Sequence, residues 1–268
     1  MEAVVADAQG TWCGYYHNEI PSLLCGRPDR VQPRIGAARS TDQGRTWEDL
    51  GIVLEAPPGG EVCDTPNQYF VGGVGDLSVM LDPDGVTLYL FFSQYSRQAA
   101  EQGVAIGRLL WAARDQPVGR VEVWSGGAWL PAVPQFGDTA DAAPTWTYPA
   151  GTPLVMPQHP WHDDDPEDDA FWGASVHWND FLQRYVMLLN RTKDEQFGPE
   201  GIYVSFATAL DDPTVRSAPE RILEGGTWYP QVFGLAPGEG TDKQAGSRAR
   251  FFMGGTSAYT IEFSLRNP

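Results

Sequence analysis

One hairpin pattern recurs four times in this chain of 268 residues. In the clearest copy, residues 75–93, a short apolar strand reaches a turn between Asp82 and Gly85 and returns as a strand rich in aromatic residues. Three further copies cover residues 4–17, 173–190 and 228–254. A hairpin that recurs roughly every 60 to 100 residues predicts a β-propeller, in which each copy starts one blade and the inner edges of all blades surround one central pocket.

The composition favours an all-β chain. Glycine (30), proline (22) and tryptophan (10) are plentiful, and short aromatic strands broken by turn residues are typical of all-β folds. No long apolar pattern has the helical period, and no apolar run approaches the ~18 residues that a membrane helix needs. We therefore expect one β-propeller domain over residues 1–268. Five blades are expected, the fifth completed by sequence before Met1, and closure by four blades is the alternative.

The hairpins also place the strands and sort the loops between two faces. The inner strands begin on one face, which we call the upper face, and the long connections open on that same face. Long loops on one face of a rigid scaffold are where binding sites are usually built. The expected strands are 2–7, 11–17, 34–39 and 46–54 in blade one, 76–81, 86–93, 103–113 and 121–125 in blade two, 173–178, 184–190, 201–206 and 220–223 in blade three, and 229–234, 249–254 and 258–264 in blade four. The expected upper-face connections are 18–33, 55–75, 126–171 and 191–200.

The net charge limits the classes of binding partner, and the cysteine content limits the disulfide bonds. The formal net charge is −17 and the basic residues do not cluster, which argues against nucleic acid because phosphate binding needs a positive stripe. No membrane segment is expected either. Three cysteines are too few for a disulfide framework, so we expect buried free thiols rather than a Cys13–Cys25 bridge. No secretory signal is visible, but the native N-terminus is expected to be absent, so the missing signal carries no information about location. A secreted or periplasmic location is favoured.

Residues Ser40–Trp47, with the sequence Ser-Thr-Asp-Gln-Gly-Arg-Thr-Trp, resemble the Asp-box of sialidases and related propellers. The chemistry of this motif is local. Asp42 caps the turn, Gly44 supplies a positive φ, and Trp47 packs between strands. The resemblance therefore implies a propeller hairpin on the lower face and no catalytic role.

Residues 201–213 and 219–223 resemble a segment of five-bladed glycoside hydrolases of the family 43 and family 32 type. That resemblance implies a propeller that acts on carbohydrate, with Asp, Asp and Glu at the starts of the first three inner strands. Asp76 fits the second of these positions, whereas the repeat places Met1 and Gly173 at the other two. Inverting hydrolysis needs an acid and a base about 6.5–9.5 Å apart, so this family's usual mechanism is not expected here.

Other polar side chains are expected to supply the chemistry on the upper face. Glu19 ends the second strand of blade one and Asp76 begins the next inner strand, so both are candidates for acid and base. His17 and His177 are the candidates for orienting or polarising the substrate. The alternatives are a rim in which Glu19 pairs with an arginine, and a buried His177 that only lines the channel.

A second group is expected to bind sugar. Exposed aromatic rings suit the apolar faces of sugars, and an arginine would suit a uronate. The alternative for the aromatic residues is packing between blades. The candidates are Tyr16, Asn67, Trp172, Arg191, Trp228, Tyr229 and Gln231.

The acidic run His159–Asp169 could bind Ca²⁺ through carboxylate oxygens. Its spacing matches no known loop and a proline interrupts it, so we favour a solvated acidic loop. No other cofactor or metal site is expected.

These patterns predict a glycoside hydrolase that acts on an oligo- or polysaccharide through its upper face. One alternative is a lyase that cleaves uronate-containing glycans by β-elimination, with Tyr16, His17, His177 and Tyr229 as its residues. Another is a carbohydrate-binding propeller without catalysis, because fold does not fix function. An incomplete blade would leave a strand edge exposed, which predicts a homo-oligomer.

Overall fold

The computed structural model describes residues 1–22, 25–57, 59–135, 145–159, 161–162, 168–236 and 240–265. Over these ranges the chain is all-β, with two short 3-10 turns at Ala99–Glu101 and Trp111–Ala113. None of the helical segments in these ranges is long and apolar enough to span a lipid bilayer.

Blade one is the antiparallel sheet β1-β2-β3-β4 in sequence order. Its first turn forms because the Asp7 carboxylate accepts hydrogen bonds from the backbone N–H groups of Gln9 and Thr11. The four strands are β1 Ala3–Ala6, β2 Trp12–Ser22, β3 Arg27–Ser40 and β4 Glu48–Leu54.

Blade two is the sheet β5-β6-β7-β8-β9, in which a short hairpin adds a fifth strand. A separate two-stranded ladder, β10-β11, follows it in the chain. The strands are β5 Val74–Leu81, β6 Thr87–Gln94, β7 Gly103–Leu110, β8 Glu122–Ser125, β9 Ala128–Pro131, β10 Val133–Gln135 and β11 Thr145–Thr147.

Blades three and four complete the described sheets. Blade three comprises β12 Phe171–Asn179, β13 Arg184–Thr192, β14 Pro199–Ala207 and β15 Glu220–Glu224. Blade four comprises β16 Gln231–Gly234, β18 Arg248–Met253 and β19 Thr256–Glu262. The short strand β17 Gln244–Ala245 lies between β16 and β18 in the chain and pairs in parallel with β12, the inner strand of blade three. Backbone hydrogen bonds therefore join blade four to blade three.

Three apolar layers hold neighbouring blades together. Tyr15 and Phe92 lie in the layer between blades one and two, Phe91 and Met187 between blades two and three, and Val232 and other side chains between blades three and four. Among the described residues no such layer lies between the sheets of blades four and one. The fold is thus a four-bladed β-propeller, and the expectation of five blades is corrected to four.

The connection expected over residues 18–33 is instead part of blade one. Strands β2 and β3 continue as a long hairpin arm because Asn18 to Pro21 pair with Arg34 to Val31. A disulfide joins Cys25 at the tip of this arm to Cys63 in the next connection, and Cys13 is a buried free thiol. The expected free thiols are therefore corrected for two of the three cysteines. Sequence reasoning missed this pair because its members are 38 positions apart in the chain.

A buried aromatic cluster brings the upper-face loops together. Phe70, Tyr95 and Phe197 are in ring contact, with Phe70 stacked on Tyr95 at 4.2 Å between centroids. Trp161 and Trp172 complete it from the connection before blade three and from β12. Because each ring comes from a different loop or blade, this cluster fixes the rim that carries the candidate site.

The turn over Ser40–Trp47 has the local chemistry predicted for it. The Asp42 carboxylate accepts from the backbone N–H and the hydroxyl of Thr46, and Gly44 has φ +82°. The Trp47 indole N–H donates to the Gly44 carbonyl. That this turn is an Asp-box of the sialidase type stays a prediction.

Candidate functional site

Backbone irregularities at the inner strands turn side chains toward the centre. The β5–β6 ladder shifts register between Gly75 and Ser78, and the β12–β13 ladder shifts between Trp172 and Ser175. Asp76 has φ +46° and Gly173 has φ +59°, and Tyr229, just before β16, also has φ +59°. A left-handed conformation costs a non-glycine residue about 1–2 kcal/mol, so packing and hydrogen bonds must hold Asp76 and Tyr229 in place.

His17 lies at the centre of a group of carboxylates. Its Nδ1 is 3.4 Å from Glu2 Oε1 and 3.5 Å from Asp76 Oδ1, and its Nε2 is 3.7 Å from Glu19 Oε1. The sequence predicted that Glu19, His17 and Asp76 would meet on one rim, and the structure brings these three together.

The carboxylates decide the protonation of His17. Burial lowers the pKa of His17, but the hydrogen bonds and charges of Asp76 and Glu2 outweigh burial and raise this pKa to about 10. The backbone N–H of Asp76, 3.2 Å from Nδ1, would suit only the neutral ring. Two carboxylates outweigh one N–H dipole, so His17 is an imidazolium at neutral pH and offers no base.

Two tyrosines fix the Asp76 carboxylate. The buried Tyr95 hydroxyl donates to Oδ2, and the Tyr229 hydroxyl donates to Oδ1 at 3.0 Å. Burial, with the charge of Asp76 next, raises the pKa of both phenols above the usual range, so both remain protonated donors. Asp76 is thus oriented by two hydroxyls and an imidazolium, and only 3% of its side chain is exposed.

Glu2 belongs to the site although sequence reasoning missed it. Its Oε2 accepts from the backbone N–H of Leu77 at 2.9 Å, next to Asp76. Aligning blades one and two on their similar turns, at Asp7 and Asp82, pairs Met1 with Asp76. This alignment missed Glu2 because the bulge in β5 has no counterpart in the β1–β2 ladder. A glutamate at the start of an inner strand was the available signal, one residue away from the position considered.

The site opens onto a central cavity of about 330 Å³ that all four blades line. Glu2 comes from blade one, Asp76 from blade two, Ser175 from blade three and Gln231 from blade four. This volume lies at the lower end of the range for small-molecule sites. Gly173 lines the same cavity, so blade three presents no side chain at the position that matches Asp76.

Aromatic residues form one side of the rim. Tyr229 is 41% exposed and Tyr69 is 37% exposed. Trp228 lies between them, in edge contact with Tyr69 at 6.0 Å, and donates its indole N–H to the Phe197 carbonyl. Trp172, also predicted to bind sugar, is buried beneath them and packs on Trp228 and Tyr229.

Three predicted binding residues have other contacts. The Tyr16 hydroxyl donates to Asp49 at 2.7 Å, away from His17. Asn67 is buried and its amide oxygen accepts from two backbone N–H groups of its own loop. Arg191 faces Asp169, Glu200 and Tyr203. These contacts stabilise loops and strands, and none of the three residues lines the cavity.

His177 is also outside the cavity. It is fully buried, its ring packs against Phe263 at 5.8 Å, and neither ring nitrogen has a hydrogen-bond partner in the described chain. Burial lowers the pKa of His177 to about 3, so the ring is neutral. The burial of His177 agrees with the alternative considered for it, but the ring does not line the central cavity.

Among the residues that the structure describes, one group could hold a metal ion. Ligand atoms of Glu2, His17 and Asp76 lie within 4.8 Å of one another. The acidic run over residues 159–169, considered as a Ca²⁺ site and expected to be a solvated loop, falls largely outside the described residues. Of its acidic residues, Asp168 and Asp169 are described, and both are held by protein groups.

The comparisons with known proteins concern the fold. No protein-family model and no curated protein matches this chain by sequence. Among solved structures, a family 117 glycoside hydrolase of Zobellia galactanivorans is 13% identical, with a TM-score of 0.49 over 97% of this chain and 68% of its own. A family 93 α-L-arabinofuranosidase of Fusarium graminearum is 14% identical, with a TM-score of 0.42 over 93% and 59%. A family 43 glycoside hydrolase of Bacillus licheniformis is 16% identical, with a TM-score of 0.42 over 78% and 37%.

These fold neighbours are glycoside hydrolases of several families. The chain spans between about a third and two thirds of the length of these neighbours.

Proposed function

We propose that this protein is a glycoside hydrolase whose reaction takes place at the mouth of the central cavity. The observation that carries the proposal is the position of His17, with Asp76 and Glu2 on its Nδ1 side and Glu19 on its Nε2 side. Hydrolysis of a glycosidic bond needs two carboxyl groups on opposite sides of the bond. Asp76 and Glu19 are the two such groups here, and they lie on opposite sides of the His17 ring.

The exposure of the two carboxylates supports distinct roles. Asp76 is buried at the cavity wall and oriented by Tyr95 and Tyr229, so it would activate a water molecule inside the cavity. The Glu19 side chain is 55% exposed at the rim, where it would protonate a leaving group that points to solvent. His17 would hold both carboxylates in position as an imidazolium. Tyr229, Trp228 and Gln231 would contact the sugar.

The experiment is a panel of neutral and charged glycans, assayed for new reducing ends. Glu19→Gln and Asp76→Asn should each reduce the rate about 10²–10⁴-fold, the range for loss of a general acid or base. Glu48→Gln is the matched control, because Glu48 is an exposed carboxylate that pairs with Arg39 at the far end of blade one. Full activity of both site variants would contradict the proposal.

The lyase alternative is less well supported. β-elimination needs a base, yet His17 holds its proton and the pKa of Tyr229 is raised. Tyr16 and His177, its other residues, contact Asp49 and Phe263 instead. Its test is near-ultraviolet absorbance of an unsaturated uronate in the same incubations, which hydrolysis does not produce.

A carbohydrate-binding propeller without catalysis is the second candidate. The observation in its favour is Gly173, which leaves blade three without a carboxylate at the cavity. Sugars that raise the melting temperature but are not consumed over the whole panel would support this candidate.

A further inference from the structure

We propose that the central cavity selects glycans that carry a free amino group and rejects uronates. This inference names a substrate class for the site above and therefore rests on the proposed function.

The first support is the charge around the cavity. Glu2 and Asp76 line it and Glu19 stands at the rim, while the described lining residues include no lysine or arginine. Three carboxylates against one imidazolium, His17, leave two formal negative charges. In a partly buried site such charges are poorly screened. A sugar ammonium would be attracted, and a sugar carboxylate would be repelled.

Nearby arginines do not change this balance. Arg191, the residue that the sequence suggested for a uronate, lies 3.4 Å from Asp169 and 4.0 Å from Glu200. Arg34 bonds Asn18 and pairs with Glu55 at 3.0 Å. The charge of a guanidinium that pairs with a carboxylate is largely offset by that carboxylate, so it attracts a ligand anion only weakly.

A buried amide beside the cavity is the independent sign of a ligand. Asn190 is 1% exposed, and neither its amide oxygen nor its amide nitrogen has a hydrogen-bond partner in the described chain. It lies directly behind Gly173, where a Cβ on that glycine would be 2.9 Å from Nδ2. Buried amides are normally paired, so this wall of the cavity lacks a partner that a ligand would supply. The Nδ2 group, the Asn190 atom nearest Gly173, is a donor and would pair with a hydroxyl oxygen of the ligand.

The aromatic side of the rim suits the same ligand. Tyr229 is partly exposed, and its hydroxyl donates to Asp76. An aromatic face next to a carboxylate is a favourable environment for an ammonium group, because the ring quadrupole adds to the charge attraction.

The test compares methyl glycosides that differ in one group: 2-amino, 2-acetamido, 2-hydroxy and uronate forms, in both the gluco and the galacto series. Binding is measured by ligand-observed NMR titration at low and high salt. We expect the 2-amino form to bind about tenfold tighter than the 2-acetamido form, about a hundredfold tighter than the uronate, and with a preference that falls at high salt.

Glu2→Gln should bring the ratio of amine to 2-acetamido affinity down to about one, whatever its effect on the affinity for the 2-acetamido form, while the control Glu48→Gln should keep the wild-type ratio. The salt dependence of the wild type keeps the test valid if Glu2→Gln fails to fold. Uronate binding as tight as amine binding, equal binding of amine and acetamide, or no binding of any sugar would overturn the inference. Turnover of neutral glycans without an amine preference would overturn this inference alone, whereas amine-selective binding without turnover would overturn the hydrolase.

Discussion

At the scale of single residues, Asp76 shows how backbone and side chain together make a site. Its left-handed φ of +46° places the carboxylate toward the cavity, and Tyr95, Tyr229 and His17 hold it there. Strained conformations at buried polar residues persist only where neighbours fix them, and they cluster at functional sites. The strain at Asp76 therefore supports its place in the proposed mechanism.

A second buried carboxyl, Asp168, gives a prediction about pH. Its Oδ1 accepts from the Ala170 N–H and the Thr192 hydroxyl, whereas Oδ2 is buried without a hydrogen-bond partner in the described chain. Burial raises the pKa of Asp168 to about 7, and the charges of Asp169 and Asp194 contribute. Between pH 4 and 7 the unfolded chain has lost a proton that the folded chain keeps, so this group destabilises the fold as pH rises.

We predict that Asp168→Asn is more stable than the wild type by about 2 kcal/mol at pH 8 and by less at pH 5. Urea unfolding at both pH values measures the difference, with Asp64→Asn as a control at an exposed aspartate. An Asn variant whose relative stability did not change with pH would contradict the prediction.

At the scale of elements, the β2–β3 arm depends on a covalent link. The arm extends beyond the blade, and the Cys25–Cys63 bond ties its tip to the following connection, where the parallel bridge Val31–Phe70 also forms. Disulfides persist in oxidising compartments and are rare in reducing ones. The secreted or periplasmic location stays a prediction.

We predict that the double variant Cys25→Ser/Cys63→Ser loses up to about 4 kcal/mol of stability. The bond joins residues 38 positions apart and so restricts the unfolded chain. Thermal unfolding with and without reductant measures the loss, and the reductant should affect only the wild type. Equal melting temperatures for the two proteins would show that the bond does not stabilise the fold.

At the scale of the whole molecule, blade four has the fewest strands of the four blades in the described part of the chain. Blades one to three have at least four strands, whereas the described part of blade four ends at β19. Beside β19 lies a groove of about 810 Å³ against blade three, with Tyr259 and Ile222 exposed in it. An unpaired edge beside apolar side chains is a site for strand pairing.

We predict that two copies pair through β19, with antiparallel strands that meet at Tyr259. The net charge of −17 opposes association at long range, so dimerisation should increase with salt. Sedimentation velocity over a concentration series measures it. Tyr259→Lys should be monomeric, while Phe181→Lys, a matched change at an exposed hairpin, should still dimerise. A monomer at all concentrations and salts would refute the prediction.

Local pattern by itself determined much of this protein. Turn residues and period-two alternation predicted the inner and middle strands of all four blades, because a hairpin is specified by residues adjacent in sequence. The bounds are close to those observed except in blade one, where β2 and β3 continue into the long hairpin arm. The same pattern predicted that Glu19, His17 and Asp76 meet on one rim, since it fixes the face on which each strand ends.

Only the tertiary structure decided the rest. Glu2 entered the site because a bulge shifts the register of β5 but not of β1. The Cys25–Cys63 disulfide and the Arg191–Asp169 ion pair both join segments that are distant in the sequence. Bulges, loop contacts and burial depend on what lies opposite in space, and a single sequence does not record it.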